Sequence, residues 1–202
     1  MLSSYSYASF VVPLKMLTRF PANRIDIIFV RYPQPSMKDN EHILREFENR
    51  SIVILGPKTE RRSDFLKELK NKMFKEVLVS FLIDYWGCRE PEIANIIGNK
   101  VIYINNDLCY RFKCRDGKIE RVVKLKFKCS SHEEADTKII YHIHQTKKSN
   151  ILIRCNDTDV LVILLSNIEF LNDSEKHIWI KMGVRNNVRI IDALKMYEVL
   201  GK

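Results

Sequence analysis

The stretch ILIRCNDTDVLVILL, residues 151–165, places two acids between two apolar runs. The first run predicts a β-strand over residues 150–155, because it is short and rich in β-branched residues. The second predicts a helix from Val160 to about Asn167. Asp157 and Asp159 lie where that helix begins. Either carboxylate could cap it, which would be worth about 1 kcal/mol.

The preceding stretch, SSHEEADTKIIYHIH at residues 130–144, has the same arrangement of acids before an apolar element. We predict a helix over residues 132–146, with Glu133, Glu134 and Asp136 at its entrance. Ser131 and Glu134 have the spacing of a capping box, and acids in a first turn interact favourably with the helix dipole. Taken alone, each of these acidic segments is therefore explained by capping.

The rest of the chain alternates between strand and helix patterns. Strand patterns are RIDIIFV (24–30), KVIYINN (100–106), LCYRFKCRDGKIERVVKLKF (108–127), which forms a hairpin turned at Asp116-Gly117, and HIWIKMG (177–183). Helix patterns run from Arg62 to Tyr85 and over DALKMYEVLG (192–201), and Gly87 and Pro91 are expected to break the first. This alternation predicts an α/β layered fold with a mostly parallel sheet and an inserted β-hairpin.

Composition sets limits on the class of protein. With 202 residues, 46% of them hydrophobic, one domain is the expectation, preceded by a ragged segment over residues 1–23. No apolar run has the length of a membrane helix, so we expect no membrane association. The formal charge of +9 favours polyanions, with nucleic acid first and acidic membrane surfaces second. Five cysteines without a CxxC pair indicate a reducing compartment, hence an intracellular protein of nucleus or cytoplasm.

Together, the two acidic segments suggest a metal site. The carboxyl ends of parallel strands share one sheet edge, where ligands bind, and Asp157 and Asp159 follow such an end. A crossover helix over residues 132–146 should begin near the same edge, where its first residue can still be extended. Glu134 and Asp136 could then face the same cleft. Four converging carboxylates repel one another unless a cation neutralises them, and such oxygen ligands suit one or two Mg²⁺ or Mn²⁺ ions.

The two acidic motifs also resemble those of a known family. EEADTK (133–138) followed by IRCNDTDVLVILL (153–165) resembles the internal motif of flap-endonuclease-type 5′-nucleases in the PIN-like superfamily. There, an E-A-E or E-A-D step opens a helix and a D-x-D ends the next strand. A transposon-associated eukaryotic branch, typically reading HEEADTR and SNDTDVLVLL, is more similar. IDIIFVRYPQPSMK (25–38) and IWIKMGVRNNVRIIDALKMYEVLGK (178–202) resemble its flanking segments, so the resemblance spans residues 24–202.

The resemblance implies a three-layer PIN-like fold, a nucleic-acid partner (DNA or RNA) and a metal-dependent phosphodiesterase activity. The implied metal ligands are Glu134, Asp136, Asp157 and Asp159. Lys38 and Arg45 are seven residues apart, so a helix would place both on one face; the resemblance makes them the cations that hold the scissile phosphate. Without it, that face is an ordinary solvated surface.

Three departures from the family pattern argue for weak or no activity. Val30 stands where the family has an Asp, and residues 1–23 show no counterpart of the family's earliest Asp. The chain also stops at LGK, where relatives continue into a segment with a further acid. We therefore expect an incomplete nuclease-type domain over residues 24–202.

Three alternatives remain open. The first is a non-catalytic scaffold, domesticated from such a nuclease, which binds nucleic acid or protein through its basic face. The second is a fragment without a stable fold of its own. The third is a zinc site built from Cys109, Cys114, Cys129 and His132, against which the irregular spacing argues.

Overall fold

The computed structural model describes residues 14, 18–30, 65–88, 91–129, 134–146, 149–171 and 176–200. Over these ranges the chain is an α/β protein with two mixed sheets. It forms two compact units, Met1–Lys128 and Cys129–Lys202, and we describe each by itself. A single domain over residues 24–202 with one mostly parallel central sheet stays a prediction. No helix in the described ranges is long and apolar enough to cross a membrane.

The first unit contains a four-stranded sheet and three helices in its described part. In chain order the elements are β1 (Arg24–Ile28), α1 (Phe65–Glu68), α2 (Lys72–Gly87), α3 (Pro91–Ile97), β2 (Val101–Asn105), β3 (Cys109–Arg115), β4 (Lys118–Val123) and a 3₁₀ turn (Leu125–Phe127). The sheet order is β1-β2-β3-β4, with β1 parallel to β2 and the other pairs antiparallel. The predicted strands are therefore confirmed, except that the last one ends at Val123.

The helix predicted from Arg62 to Tyr85 is interrupted. It breaks between α1 and α2, where the Asn71 Oδ1 atom accepts a hydrogen bond from the Phe74 N–H at 3.2 Å. An Asn at this position favours a new helix start over a continued helix, because its side chain satisfies an orphan backbone donor. The expected break at Gly87 is confirmed. Pro91, however, opens a further helix, at the first position, where its missing N–H costs nothing.

Changing Asn71 to Ala is expected to lower the free energy of unfolding by about 1 kcal/mol, because the Phe74 N–H loses its partner. Chemical denaturation measures the loss. Asn71→Ser is the control, since serine caps about as well as asparagine. Equal stability of the two variants would contradict a capping role.

The hairpin turn is the local prediction that the structure confirms most directly. Asp116 and Gly117 have φ angles of 51° and 69°, so both are left-handed, as a two-residue turn of this kind requires. Arg115 pairs with Lys118 across the turn. Beyond Val123 the chain curls back in its 3₁₀ turn, which brings the Phe127 ring to 5.4 Å from the ring of Tyr103.

The sheet of the first unit has an apolar face and a polar one. On the apolar face, Ile102, Phe112 and Ile119 are buried against α2 and α3, and Trp86 meets Phe112 edge to face at 6.4 Å. The opposite side, which we call the outer face, carries alternating charged residues. This separation follows from the two-residue period of a strand.

The second unit contains a three-stranded sheet flanked by helices. In chain order its described elements are α4 (Ala135–Gln145), β5 (Ser149–Arg154), α5 (Thr158–Ser166), α6 (Ile168–Leu171), β6 (Lys176–Met182), a 3₁₀ turn (Arg185–Asn187), β7 (Arg189–Asp192) and α7 (Ala193–Leu200). β5 is parallel to β6, and β6 is antiparallel to β7. The strand and helix predictions for this region are confirmed, except that the helix expected from residue 132 begins at Ala135. β7 and α6 were not predicted.

The core of the second unit forms around the apolar run that follows Asp159. Val160 and Leu164 of α5 are buried together with Ile178 and Ile180 of β6, and α4 contributes Ile143 to the same cluster. α4 therefore packs beside α5. β5 connects α4 to α5, and the charges of Asp157 and Asp159 at the start of α5 act on Asp136 at the start of α4, so the two helix entrances lie near each other.

Candidate functional site

Four carboxylates lie where α4 and α5 begin, and we call them the acidic corner: Glu134, Asp136, Asp157 and Asp159. All four belong to the second unit, and two come from each helix entrance. The two entrances lie near enough for the charges of Asp157 and Asp159 to act on the carboxyl of Asp136. Both helices pack on the same core, which holds their entrances near each other.

Asp157 caps α5, as the capping interpretation predicts. Its backbone is extended, at φ −91° and ψ 127°, and its Oδ1 atom accepts a hydrogen bond from the Asp159 N–H at 3.0 Å. Both side chains are exposed to solvent. The cap occupies one carboxylate oxygen of Asp157, which leaves its second oxygen and the whole Asp159 carboxylate facing solvent.

Glu134 does not have the role that a capping box would give it. It lies at the N-cap position of α4, in extended backbone at φ −78° and ψ 144°, and its carboxylate accepts no capping hydrogen bond. The Thr137 Oγ1 hydroxyl instead donates to the Glu134 carbonyl oxygen at 3.1 Å. The predicted box is wrong for Glu134, and Ser131 lies outside the described residues. The extended helix entrance expected from the sequence is confirmed.

Within the acidic corner, the carboxyl of Asp136 is affected by its burial and by the three other acids. Partial burial raises the pKa of the Asp136 carboxyl above its ordinary value, and this is the largest cause. The charges of Asp157, Glu134 and Asp159 raise the same pKa further, in that order. In the described part of the chain no Lys or Arg forms a salt bridge with the acidic corner.

The acidic corner is an open arrangement. Among the residues that the structure describes, no three His, Cys, Asp or Glu side chains are already positioned to hold a metal ion. Lys38 and Arg45, the two cations predicted to hold the phosphate, lie outside the described residues.

The zinc alternative is not favoured. Cys109 and Cys114 are five residues apart on β3, so their side chains leave opposite faces of the sheet and cannot chelate one ion together. Cys129 is buried, and His132 lies outside the described residues.

Two neighbours of the acidic corner were missed from the sequence. Asn156 Oδ1 accepts a hydrogen bond from the Gly183 N–H at 3.0 Å, which ties the loop before α5 to the end of β6. The Cys155 thiol donates to the Asp157 carbonyl oxygen at 3.5 Å, and its burial, together with the charges of Asp157 and Asp136, raises its pKa. The Asn within NDTD was the available signal for the first, whereas nothing in the sequence pointed to the second.

Metal-free protein is expected to become more stable at neutral pH when Asp136 is changed to Asn. A raised pKa means that the folded state binds more protons than the unfolded state, so stability falls as pH rises from 3.8 through the folded pKa. Asn removes this penalty. Because the group is partly solvated, the gain should stay below about 1 kcal/mol.

Urea unfolding in EDTA, at pH 7 and at pH 3, measures this effect. The gain should disappear at the lower pH, where Asp136 is protonated in both states. Glu198→Gln, at an exposed position of α7, is the control and should change little. A gain that is equal at both pH values would show that the ionised carboxylate of Asp136 is not its cause.

Comparisons of this chain with models of known protein families, with curated proteins and with solved structures found no match.

Proposed function

We propose that this chain is a PIN-like, 5′-nuclease-type domain that binds nucleic acid and holds one or two Mg²⁺ or Mn²⁺ ions at the acidic corner. The observation that carries the proposal is the convergence of four carboxylates from two helix entrances of the second unit. The three-layer fold and the nuclease class rest on the resemblance of the two acidic motifs.

The chemistry of the donor set fits such ions. Mg²⁺ and Mn²⁺ prefer carboxylate and water oxygens, and the acidic corner offers carboxylates that no described cation neutralises. Asp157 can cap α5 with one oxygen and still offer the other. When bound, ions of this kind activate a water and stabilise the leaving oxygen of a phosphodiester.

The protein's own residues would then divide the work. Glu134 and Asp136 enter from α4, Asp157 and Asp159 from α5, so the packing of the two helices sets the separation of the ligands. Lys38 and Arg45 would hold the phosphate. Val30, where the family has an Asp, follows β1 in the first unit and is partly buried. The loss of that carboxylate argues for metal and nucleic-acid binding with weak or no hydrolysis.

A non-catalytic scaffold is the second candidate, and the capping hydrogen bond of Asp157 favours it. A carboxylate that stabilises a helix start has a reason to be there without any metal. In that case the basic charge of the chain binds its partner, and Asp157 serves only to cap α5.

The melting temperature of the chain with and without millimolar Mn²⁺ tests the metal site. An ion that binds only the folded state stabilises it by about 1.4 kcal/mol when its concentration is ten times the Kd, which raises the melting temperature by a few degrees. Absence of any shift would overturn the metal proposal and leave the scaffold. A shift would justify incubating labelled DNA and RNA oligonucleotides with Mn²⁺ to look for cleavage.

A further inference from the structure

The positive charge of this protein is concentrated in one hairpin. Residues 109–128, which form β3, β4 and the 3₁₀ turn after them, contain eight Lys or Arg side chains and two acids. Eight minus two is +6, out of a formal +9 for the whole chain. A tenth of the sequence thus carries two thirds of the net charge.

The fold aligns part of this charge in a row on the outer face of the sheet. Arg111, Lys113 and Arg115 alternate along β3 with residues of the apolar face, so their side chains leave the sheet on the same side. Alternate residues of a strand are about 7 Å apart. Lys118 pairs with Arg115 across the turn and extends the row onto β4.

The acids of this face are largely engaged elsewhere. Asp26 is bound by Arg24 at 2.7 Å on β1. Glu120 lies opposite Lys113 but pairs diagonally with Arg111 at 3.1 Å. In these ion pairs, Arg24 and Arg111 neutralise the two acids, so neither acid is left to neutralise the cations at the tip of the hairpin.

At the outer end of the row the cations are less compensated. Arg115 approaches Asp116 only at 3.9 Å, with the two side chains 78% and 93% exposed, a separation at which an ion pair is worth little. Lys113 and Lys118 are exposed and have no ion pair with any residue that the structure describes. Within the described sheet, these three cations are therefore available at the tip of the hairpin to bind an anion.

We propose that the outer face of this hairpin, through Lys113, Arg115 and Lys118, binds the phosphate backbone of nucleic acid. A linear polyanion matches a straight row of evenly spaced cations on a rigid strand pair, and phosphate contacts of this kind need no base recognition. The choice of nucleic acid as the partner rests on the proposed function. The hairpin itself belongs to the first unit, and its binding needs no metal ion.

Fluorescence anisotropy of a labelled oligo-dT, recorded in EDTA over a series of salt concentrations, tests the proposal. The variant Lys113→Gln/Arg115→Gln/Lys118→Gln is expected to bind about 100-fold more weakly at about 0.1 M salt. Each phosphate contact contributes roughly 0.7 to the salt slope on a single strand, so losing three should reduce the slope by about 2. The three side chains are exposed, and a thermal melt confirms that the variant folds.

The matched control is Lys67→Gln/Lys70→Gln/Lys195→Gln, which removes the same charge from exposed positions on other elements. It should keep the parent slope. An equal loss in both triple variants would show that only net charge matters and would overturn the proposal. Binding of the parent to anionic vesicles but not to the oligonucleotide would also overturn the proposal. Vesicles are included because the apolar side chain of Leu125 is exposed near this face.

The proposed metal site is tested independently of the hairpin. Asp157→Asn/Asp159→Asn should bind the oligonucleotide in EDTA as tightly as the parent or more tightly, because it loses two negative charges. Oligonucleotide binding without a Mn²⁺ response would retain the hairpin and reject the metal site, whereas the opposite result would reject the hairpin alone.

Discussion

Replacing Asp157 and Asp159 together by Asn is expected to weaken Mn²⁺ binding at least about 100-fold. Substitutions that only support a metal ligand already cost 10- to 100-fold in affinity, and this change removes two charged oxygen donors from the acidic corner itself. Isothermal titration calorimetry with Mn²⁺ measures the effect directly. The rise in melting temperature with Mn²⁺ should disappear in the same variant.

The Asp157→Asn/Asp159→Asn variant separates metal binding from helix capping. Asn caps a helix about as well as Asp, so the bond from the Asp159 N–H to residue 157 is retained and the free energy of unfolding should change little in EDTA. Asp116→Asn/Glu198→Gln, at exposed sites in the hairpin turn and in α7, removes the same charge and should leave Mn²⁺ binding unchanged. If the Asn pair binds Mn²⁺ like the parent, the acidic corner is not the metal site and the scaffold is the better description.

Gly183→Ala is expected to lower the free energy of unfolding by about 3 kcal/mol. Gly183 has φ +88°, a conformation that L side chains rarely adopt, and a Cβ atom there would lie 2.1 Å from the Asn187 carbonyl oxygen. That oxygen is backbone of the 3₁₀ turn after β6, so it cannot move aside as a flexible side chain would. Urea denaturation gives the value.

Gly117→Ala is the matched control for Gly183. It also has positive φ, at +69°, but no atom lies within 4 Å of the Cβ position, so only the backbone strain of about 1 kcal/mol should appear. The difference between the two variants measures the clash. Equal losses would mean that the 3₁₀ turn relaxes freely.

Gly183 also connects stability to the acidic corner. Its N–H donates to Asn156 in the loop that holds Asp157, so a shift of residue 183 moves the ligands of the proposed metal site. We therefore expect any Gly183→Ala protein that folds to bind Mn²⁺ more weakly than the parent.

Local signals predicted much of this fold. Asp116-Gly117 specified the hairpin turn, because both residues tolerate the left-handed backbone that the turn needs. The break at Asn71 was missed, although an Asn within a helical pattern is a capping signal, because the apolar spacing continued across it. Pro91 was interpreted as a helix breaker, whereas it begins a helix, and the choice between these roles depends on the residues after it.

For the candidate site, too, some features follow from local sequence and others from the tertiary fold. Acids before an apolar run predict a helix entrance wherever they occur, so the local pattern was enough to place Glu134, Asp136, Asp157 and Asp159 at two such entrances. Three features follow from the tertiary fold: the charges of one entrance act on the other, Asp157 caps while Glu134 does not, and Gly183 anchors the loop through Asn156. Capping and turn preferences act over a few residues, whereas convergence depends on how α4 and α5 pack on a shared core, which no short segment encodes.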